Sequence, residues 1–227
     1  MVASNYNHIW DCCCDHGLLG ASLINKQRAP YIHLVDIVPE LIHSLNEKLK
    51  QLIPAKSNCQ WDTQCTDIRR LPLTQHSGKQ LVIIAGIGGD LMAQLITDIA
   101  LANPIIEIDF LLCPVHHLHT LRQQLIELNM RLTDEVLVKE NQRIYEILLL
   151  SYRPLKLCKE ENKVSPVGTA IWQARSNDQQ QRLNELKIAE EYLTKKRDHY
   201  QRMQYGDHGP TIKAIFQAYQ NITITKR

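Results

Sequence analysis

The sequence lacks any hydrophobic run long enough to cross a membrane, and its N-terminus lacks a basic segment followed by an apolar one. A transmembrane helix needs about 20 predominantly apolar residues, and a secretory signal needs that N-terminal pattern. We therefore expect neither class of segment, and we expect a cytoplasmic protein with no membrane partner. The oligomeric state is left open, with a monomer favoured.

The chain also has little net charge, only +2 over 227 residues. This charge is unevenly distributed: residues 1–150 contain 12 Lys and Arg against 16 Asp and Glu, whereas residues 151–227 contain 14 against 8. Cations near a polyanion release its condensed counterions, so the C-terminal segment is the better candidate for a phosphate-rich partner. A solvated helix face explains the same asymmetry nearly as well.

Spaced metal ligands are missing among the cysteines. Seven cysteines, an odd number, favour free thiols in a reducing compartment over a disulfide framework. Cys12, Cys13 and Cys14 are adjacent, and neighbours on a strand point to opposite faces, so they do not converge on one ion. Three histidines are interpreted as phosphate contacts or surface imidazoles, namely His116, His117 and His119. We predict no metal site.

The first 150 residues alternate strand-like apolar runs with helical patterns, which is typical of a parallel sheet covered on both faces. Strands are predicted at residues 9–13, 31–36, 59–65, 80–85, 110–113, 135–140 and 144–152. Two helical core faces are predicted from Leu41, Leu45, Leu49 and Leu52, and from Leu91, Leu95, Ile96 and Ile99. The last two strands have no helix between them, so we expect an antiparallel hairpin that turns near Asn141 and Gln142.

The composition changes after Tyr152, which divides the chain into a sheet domain, residues 1–152, and a C-terminal segment, residues 153–227. A charged stretch at 156–163 is a predicted linker. A helix is predicted over 177–204, ended by residues 206–209, with a second helix opened by Pro210. Apolar stripes on the two helices comprise Leu186, Ala189, Leu193, Tyr200 and Met203, and Ile212, Ile215, Phe216 and Tyr219. We expect an antiparallel helical hairpin of coiled-coil type.

Candidate ligands follow four successive predicted strands. They are the loop 11–17, Asp36, Asp67 and the segment 85–89, which reads Ala-Gly-Ile-Gly-Gly. Open α/β sheets bind ligands at the carboxyl ends of their strands, and an acid after the second strand is placed to bind both hydroxyls of a ribose. An acid after the third strand can accept a hydrogen bond from an adenine amine. Each Asp taken singly also fits a turn or a helix cap.

The glycine fingerprint of a dinucleotide site is absent. Gly-x-Gly-x-x-Gly is expected after the first strand of such a site, whereas residues 12–17 contain one glycine and a carboxylate, Asp15. A carboxylate repels a pyrophosphate but attracts a sulfonium or an amine. The sequence therefore favours S-adenosyl-L-methionine over a nicotinamide cofactor.

These motifs together resemble the bacterial tRNA adenine N1-methyltransferases that act on adenine 22. The first family motif, Asp-Ile-Gly-Cys-Asp-His-Gly-Tyr-Leu, is matched by Asp11, Cys14, Asp15, His16, Gly17 and Leu19. The second, Ile-Ala-Gly-Met-Gly-Gly, is matched by residues 84–89, and the third by Asp134-Glu135 with Tyr145-Glu146-Ile147. The resemblance covers most of residues 9–150 and implies a Rossmann-like seven-stranded class I methyltransferase sheet; the C-terminal helical hairpin fits it too.

The resemblance also implies site residues. Asp15 and His16 are the implied catalytic residues, although Asp15 fits binding of the methionine amine equally well. The implied cofactor-binding residues are Asp11, Cys13, Cys14, Asp15, Gly17, Asp36, Ile37, Asp67, Ile68, Ala85, Gly86 and Ile87. The implied substrate-binding residues, with tRNA as the partner, are Gly88, Gly89, Pro114, Lys195, Lys196 and Arg197.

The chain departs from the family pattern in three ways. Cys13 stands where the family usually has glycine, and Cys113-Pro114-Val115 stands for Gln-Pro-Asn, which removes amides that could grip a base. Only eight residues precede Ile9, where the family usually has a helix, and a truncated N-terminus is one explanation. Four functions stay open: the tRNA methyltransferase, a methyltransferase for another RNA or a small molecule, a binding module that has lost turnover, and a nicotinamide dehydrogenase.

Overall fold

The computed structural model describes residues 5–53, 58–154, 162–204 and 209–225. All seven predicted strands form: β1 His8–Cys12, β2 Tyr31–Asp36, β3 Gln60–Cys65, β4 Gln80–Ala85, β5 Ile108–Cys113, β6 Arg131–Glu140 and β7 Arg143–Tyr152. They make one sheet in the order β3-β2-β1-β4-β5-β7-β6. The first five strands are parallel, and β7 runs antiparallel to both of its neighbours. The predicted fold class is confirmed.

Helices cover both faces of the sheet, as predicted. Their bounds in the first part of the chain are α1 Leu18–Asn25, α2 Pro39–Leu52, α3 Gly89–Ala102 and α4 Leu118–Glu127. α1 and α2 pack on one face through side chains such as Leu23 and Leu45, whereas α3 and α4 pack on the other through Ile96 and Leu121. Both faces of the central strands are therefore removed from water, and β4 accordingly reads as a nearly continuous apolar run.

The prediction of the helical core faces is wrong for two leucines. Leu52 is 70% exposed and Leu91 is 45% exposed. Ile42 on α2 and Met92 on α3 are buried instead. An α-helix has 3.6 residues per turn. Positions chosen only because they are leucines therefore do not all lie on the helix face that packs against the sheet.

The hairpin of β6 and β7 is confirmed, but β6 begins at Arg131, four residues before the predicted start. Its first residues are largely polar, and the register shifts between Leu132 and Asp134. An edge strand needs no continuous apolar run, so hydrophobicity does not reveal its start. Asn141 and Gln142 form the turn, both with positive φ (46° and 67°), as a two-residue type I′ turn requires.

The C-terminal segment contains α5 Gln179–Gln204 and α6 Gly209–Gln220, which pack against each other. Residues of both predicted stripes, including Leu193, Tyr200, Ile215 and Tyr219, meet in a separate apolar cluster with Trp172. Most of the predicted linker and most of the predicted break between the helices lie outside the described residues, which omit 155–161 and 205–208.

A buried ionic cluster attaches this segment to the sheet. The guanidinium of Arg122 on α4 bonds to Glu135 on β6 and to Glu146 on β7, and all three side chains are excluded from solvent. Tyr192 on α5 donates to Glu146 at 2.6 Å, and the backbone amide of Ala170 donates to Glu135 at 2.8 Å. The cluster fixes α5 beside the carboxyl end of β5.

Among the described residues, no helix has both the length and the apolar character that crossing a membrane requires. The six described cysteines are free thiols, as predicted.

Candidate active site

The loop after β1 has an unusual backbone. Cys13 (φ +55°), Asp15 (φ +48°) and Gly17 (φ +68°) all adopt the left-handed conformation. At Gly17 a Cβ atom would lie 2.4 Å from Cδ1 of Leu45, so glycine is required there for space as well as for φ. At Cys13 the family's glycine would adopt the same φ without strain.

Asp36 holds that loop in place. Its Oδ2 atom accepts a hydrogen bond from the amide of Asp15 at 3.0 Å, and its Oδ1 atom accepts one from the amide of Val38 at 3.1 Å. A carboxylate has about four acceptor sites, so lone pairs remain for a ligand such as a ribose. Asp36 is the last residue of β2, the position at which a ribose ligand was predicted, and it keeps acceptor sites for that ligand.

Three further predicted ligands follow β2 and β3, namely Ile37, Asp67 and Ile68. Asp67 follows β3 and caps a short 3-10 helix by accepting a hydrogen bond from the amide of Arg69 at 3.0 Å. The cap interpretation is thus observed, and it leaves the carboxylate partly accessible. Ile37 is 64% exposed, which is uncommon for isoleucine, whereas the side chain of Ile68 is buried. An exposed apolar side chain after an acid offers a surface to the flat face of a base.

The glycines after β4 have two different roles. Gly86 has φ +82°, and an added Cβ atom would meet no atom within 4 Å, so its backbone borders open space beside Ala85 and Ile87. Gly88 and Gly89 are instead packed against the loop after β5: added Cβ atoms would lie 2.3 Å from Cε1 of His116 and 2.4 Å from the carbonyl oxygen of His117. The segment 85–87 thus borders the crevice, whereas 88–89 supports the loop containing Pro114.

Asp11 is buried beneath the loop. Its carboxylate is 4% exposed, lies near Gly20 of α1, and has one oxygen, Oδ2, without a hydrogen-bond partner. Burial raises the pKa of Asp11 to about 7, against the lowering effect of a backbone hydrogen bond from Gly20. Such an orphaned buried oxygen is rare in proteins, and sites of this kind are often functional.

Asp15 and His16 point outward from the same loop. Both side chains are well exposed, and Nε2 of His16 lies 3.8 Å from Oδ1 of Asp15. Burial raises the pKa of Cys13 to about 11 and that of Cys14 to about 12, so both thiols stay protonated at neutral pH. A protonated thiol is a poor nucleophile. The loop therefore offers a carboxylate and an imidazole for chemistry, rather than a thiolate.

A basic groove runs between the loop after β5, the β6–β7 hairpin and the helical pair. We call it the basic groove; its cations are Arg143, Lys195 and Lys196, and the imidazoles of His116, His119 and His199 line it beside them. Lys195 bonds to Glu191 at 2.9 Å and remains exposed, and Nζ of Lys196 lies 5.0 Å above the ring of Tyr192. Pro114 also lines the groove.

Arg197 is placed differently from the two lysines. Its guanidinium donates to the carbonyl oxygens of Tyr219, Gln220 and Ile222 at 3.0–3.1 Å. These bonds satisfy the end of α6, where a helix leaves carbonyls without partners. The structure thus gives Arg197 a role in holding the helical pair together.

Three residues that line the basic groove were not predicted as site residues from the sequence: Arg143, Tyr145 and His199. Arg143 and Tyr145 lie next to each other on one side of the hairpin, and His199 lies one turn beyond Lys195 on α5. The i, i+4 spacing of Lys195 and His199 was a usable signal, because such residues share a helix face. Arg143 had no such signal, since only the tertiary fold brings β7 beside α5.

Part of the chain matches a known protein family. Residues 1–148 match a family described as "Methyltransferase domain". No curated protein sequence matches the chain.

Solved structures are similar along nearly the whole chain. Sp1610 of Streptococcus pneumoniae has a TM-score of 0.69 at 15% identity and covers 97% of this chain and 93% of its own; it has also been solved with S-adenosyl-L-methionine. TrmK of M. capricolum, solved with S-adenosyl-homocysteine, has a TM-score of 0.67 at 14% identity, with 96% and 88% covered. TrmK of B. subtilis, an M1A22 tRNA methyltransferase, has a TM-score of 0.60 at 16% identity, with 96% and 89% covered. At these identities the likeness establishes the shared fold, including the C-terminal helices.

Proposed function

The chain belongs to the methyltransferase domain family, and from that premise we propose that it transfers a methyl group from S-adenosyl-L-methionine to N1 of an adenine in tRNA, at position 22. The observation that carries the proposal is the basic groove, which ends at the loop bearing Pro114 and His116, beside the glycine segment of the crevice. Two similar proteins are TrmK enzymes, one of them an M1A22 tRNA methyltransferase.

The crevice fits S-adenosyl-L-methionine on three observations. Asp36 retains acceptor sites at the end of β2, Ile37 exposes an apolar surface beside it, and the backbone at Gly86 borders open space. We assign Asp36 to the ribose, Ile37 and Asp67 to the adenine, and the loop 13–17 to the methionine end. When bound, the cofactor supplies an electrophilic methyl group on a sulfonium.

The protein's part in the chemistry is alignment and charge stabilisation. N1 of adenine has a lone pair and needs no strong base before it attacks a methyl carbon. The nitrogen, carbon and sulfur must lie in line, and the base becomes positively charged as the methyl group arrives. A carboxylate that accepts a hydrogen bond from the adenine amine both positions the base and stabilises this charge. Asp15, exposed at the mouth of the crevice, is our candidate, and His16 is placed to orient it.

The target adenine must be unpaired or flipped, because N1 lies on its pairing edge. Single-stranded or splayed bases in RNA are held by stacking and by contacts to the backbone. In our proposal Lys195, Lys196 and Arg143 bind phosphates while the base enters near Pro114. Since Val115 replaces the family's Asn, the base is gripped there through fewer side-chain amides than in the family.

The decisive experiment combines purified protein, radiolabelled S-adenosyl-L-methionine and two transcripts of one tRNA, the natural sequence and a version with guanine at position 22. We expect label in the natural transcript alone and 1-methyladenosine by mass spectrometry of its nucleosides. Label in both transcripts, or in another nucleoside, would contradict the assignment to adenine 22.

Two alternatives predict other outcomes of the same experiment. A methyltransferase for another RNA or a small molecule leaves both transcripts unlabelled while turning over a different acceptor. A module without turnover binds the cofactor, as seen by calorimetry, and labels no acceptor. The basic groove favours the tRNA methyltransferase over both alternatives, because its cations suit RNA phosphates.

A further inference from the structure

Three histidines converge at the edge of the sheet opposite the crevice. His8 begins β1, His33 lies on β2, and His76 follows the 3-10 helix Leu73–Gln75. One nitrogen from each of the three rings lies within 4.8 Å of the other two. Nδ1 of His8 and Nε2 of His33 are 3.1 Å apart, close to the separation of about 3.3 Å expected for two nitrogens bound to one tetrahedral zinc ion.

The rings are oriented by groups around them. Nδ1 of His33 is 2.9 Å from Oδ1 of Asp62 on β3, the carboxylate–histidine arrangement that commonly fixes a metal-binding imidazole. With that bond made, Nε2 of His33 is the nitrogen that faces the cluster. The ring of His8 has its own hydrogen bond, to the backbone of Ser77.

The third histidine is also held in place. Gln80 on β4 donates to the carbonyl oxygens of Leu73 and His76 at 2.8 and 3.2 Å, which fixes the backbone that carries the His76 ring. Gln80 in turn accepts a hydrogen bond from Nε1 of Trp10 at 3.1 Å, and Trp10 stacks on His33 with ring centroids 3.9 Å apart. Side chains on three strands therefore support one small cluster.

We propose that His8, His33 and His76 form a binding site for a divalent cation of the zinc class, with Asp62 as the positioning residue. Imidazole nitrogens select zinc and its neighbours over magnesium or calcium. On binding, His8 carries its one ring proton on Nε2 and His33 carries its own on Nδ1 toward Asp62, so that Nδ1 of His8 and Nε2 of His33 both present lone pairs to the cation. The site lies about 13 Å along β1 from Cys12, by strand length, and so is separate from the methyl-transfer crevice.

The test titrates metal-free protein with Zn²⁺ against a chromophoric chelator at neutral pH, and repeats the titration with Co²⁺. We expect one ion per chain and the visible spectrum of tetrahedral, nitrogen-bound Co²⁺. His76→Ala is expected to weaken Zn²⁺ binding at least tenfold, and Asp62→Asn by about 10- to 100-fold. Both residues are partly exposed, so these variants should fold. His43→Ala, an exposed histidine of α2, is the matched control.

A second readout is the midpoint of thermal unfolding, Tm, which Zn²⁺ should raise in the wild type and the control but not in His76→Ala. Three results would overturn the proposal: no Zn²⁺ binding, equal binding by His76→Ala and His43→Ala, or a thiolate-to-cobalt absorption band that places the ion on cysteines. Each readout is independent of methyl transfer, so failure of either proposal is distinguishable from failure of the other.

Discussion

Nη2 of Arg122 lies 2.6 Å from Oε2 of Glu146 in the interior, where neither side chain reaches solvent. The same guanidinium bonds to Glu135, and Tyr192 of α5 bonds to the other oxygen of Glu146. Glu146 belongs to the Tyr-Glu-Ile motif, so part of the sequence resemblance reflects this internal connection between the sheet and the helical pair. The connection sets the position of the basic groove.

Replacing Arg122 should destabilise the protein strongly. Arg122→Met leaves two carboxylates buried without their cation, and breaking a buried pair in this way costs about 3–5 kcal/mol. Tyr192→Phe removes one hydrogen bond and should cost about 1 kcal/mol. Urea unfolding at neutral pH measures both, with Lys50→Ala, which removes an exposed ion pair with Glu47, as the control near zero. Equal losses in Arg122→Met and Lys50→Ala would contradict the prediction.

Asp11 should make stability decline as the pH rises. Its pKa is about 7 in the folded protein, because of burial, and about 3.9 in an unfolded chain. The folded state therefore holds a proton that the unfolded state has lost, and the free energy of unfolding falls between pH 4 and 7. The difference is on the order of 4 kcal/mol. Asp11→Asn does not titrate, so wild type should lose stability relative to it across that range; a constant difference would refute the shift.

Asp15→Asn separates the two roles of this carboxylate. In our proposal the side chain of Asp15 binds the target adenine while the backbone of the loop 13–17 meets the cofactor, so we expect kcat to fall by about 10- to 100-fold. The Kd for S-adenosyl-homocysteine, measured by calorimetry, should change little. The reverse pattern, weak cofactor binding with kcat preserved at saturation, would assign Asp15 to the methionine amine instead.

The double variant Lys195→Ala, Lys196→Ala should weaken tRNA binding and reduce its salt dependence. Each phosphate-binding cation contributes about one unit to the slope of log K against log salt, so the slope should fall by about two. Arg197 is left intact because it holds the end of α6. Lys187→Ala, an exposed lysine earlier on the same helix, is the control. Filter binding at several salt concentrations that gives equal slopes for both variants would return α5 to a structural role.

Two substitutions of Cys13 test whether its positive φ strains the backbone of the loop after β1. Both Cys13→Ala and Cys13→Gly remove the thiol, but only glycine adopts φ +55° without a steric penalty. We expect the glycine variant to be more stable than the alanine variant by about 1 kcal/mol in urea unfolding. Equal stabilities would mean that the positive φ at this position is not costly.

Much of this molecule could be predicted from local patterns. Strand positions, the final hairpin and the helical pair each depend on a few consecutive residues, such as the turn at Asn141 and Gln142. The order of acids and glycines after the strands also indicated where a ligand would bind, because parallel strands end at one edge of the sheet. Leu52 and Leu91 were placed wrongly, since their burial depends on which side of the helix faces the sheet. The start of β6 was placed wrongly because an edge strand needs no continuous apolar run.

Other features had no local signal. His8, His33 and His76 are far apart in the sequence, and their convergence depends on strand register and on the loop that Gln80 holds. The different roles of Lys195 and Arg197 depend on where α6 ends. Gly88 and Gly89 proved to be spacers against His116 and His117, which nothing in their own motif indicated.

The sequence alone thus determined the methyltransferase-like sheet, the candidate cofactor edge and the basic character of the C-terminal segment. Only the tertiary structure decided which cations line the groove, which glycines border open space and which histidines meet. The physical reason is that backbone preference and hydrophobic period act over neighbouring residues, whereas a site is made by side chains that packing brings together from distant parts of the chain.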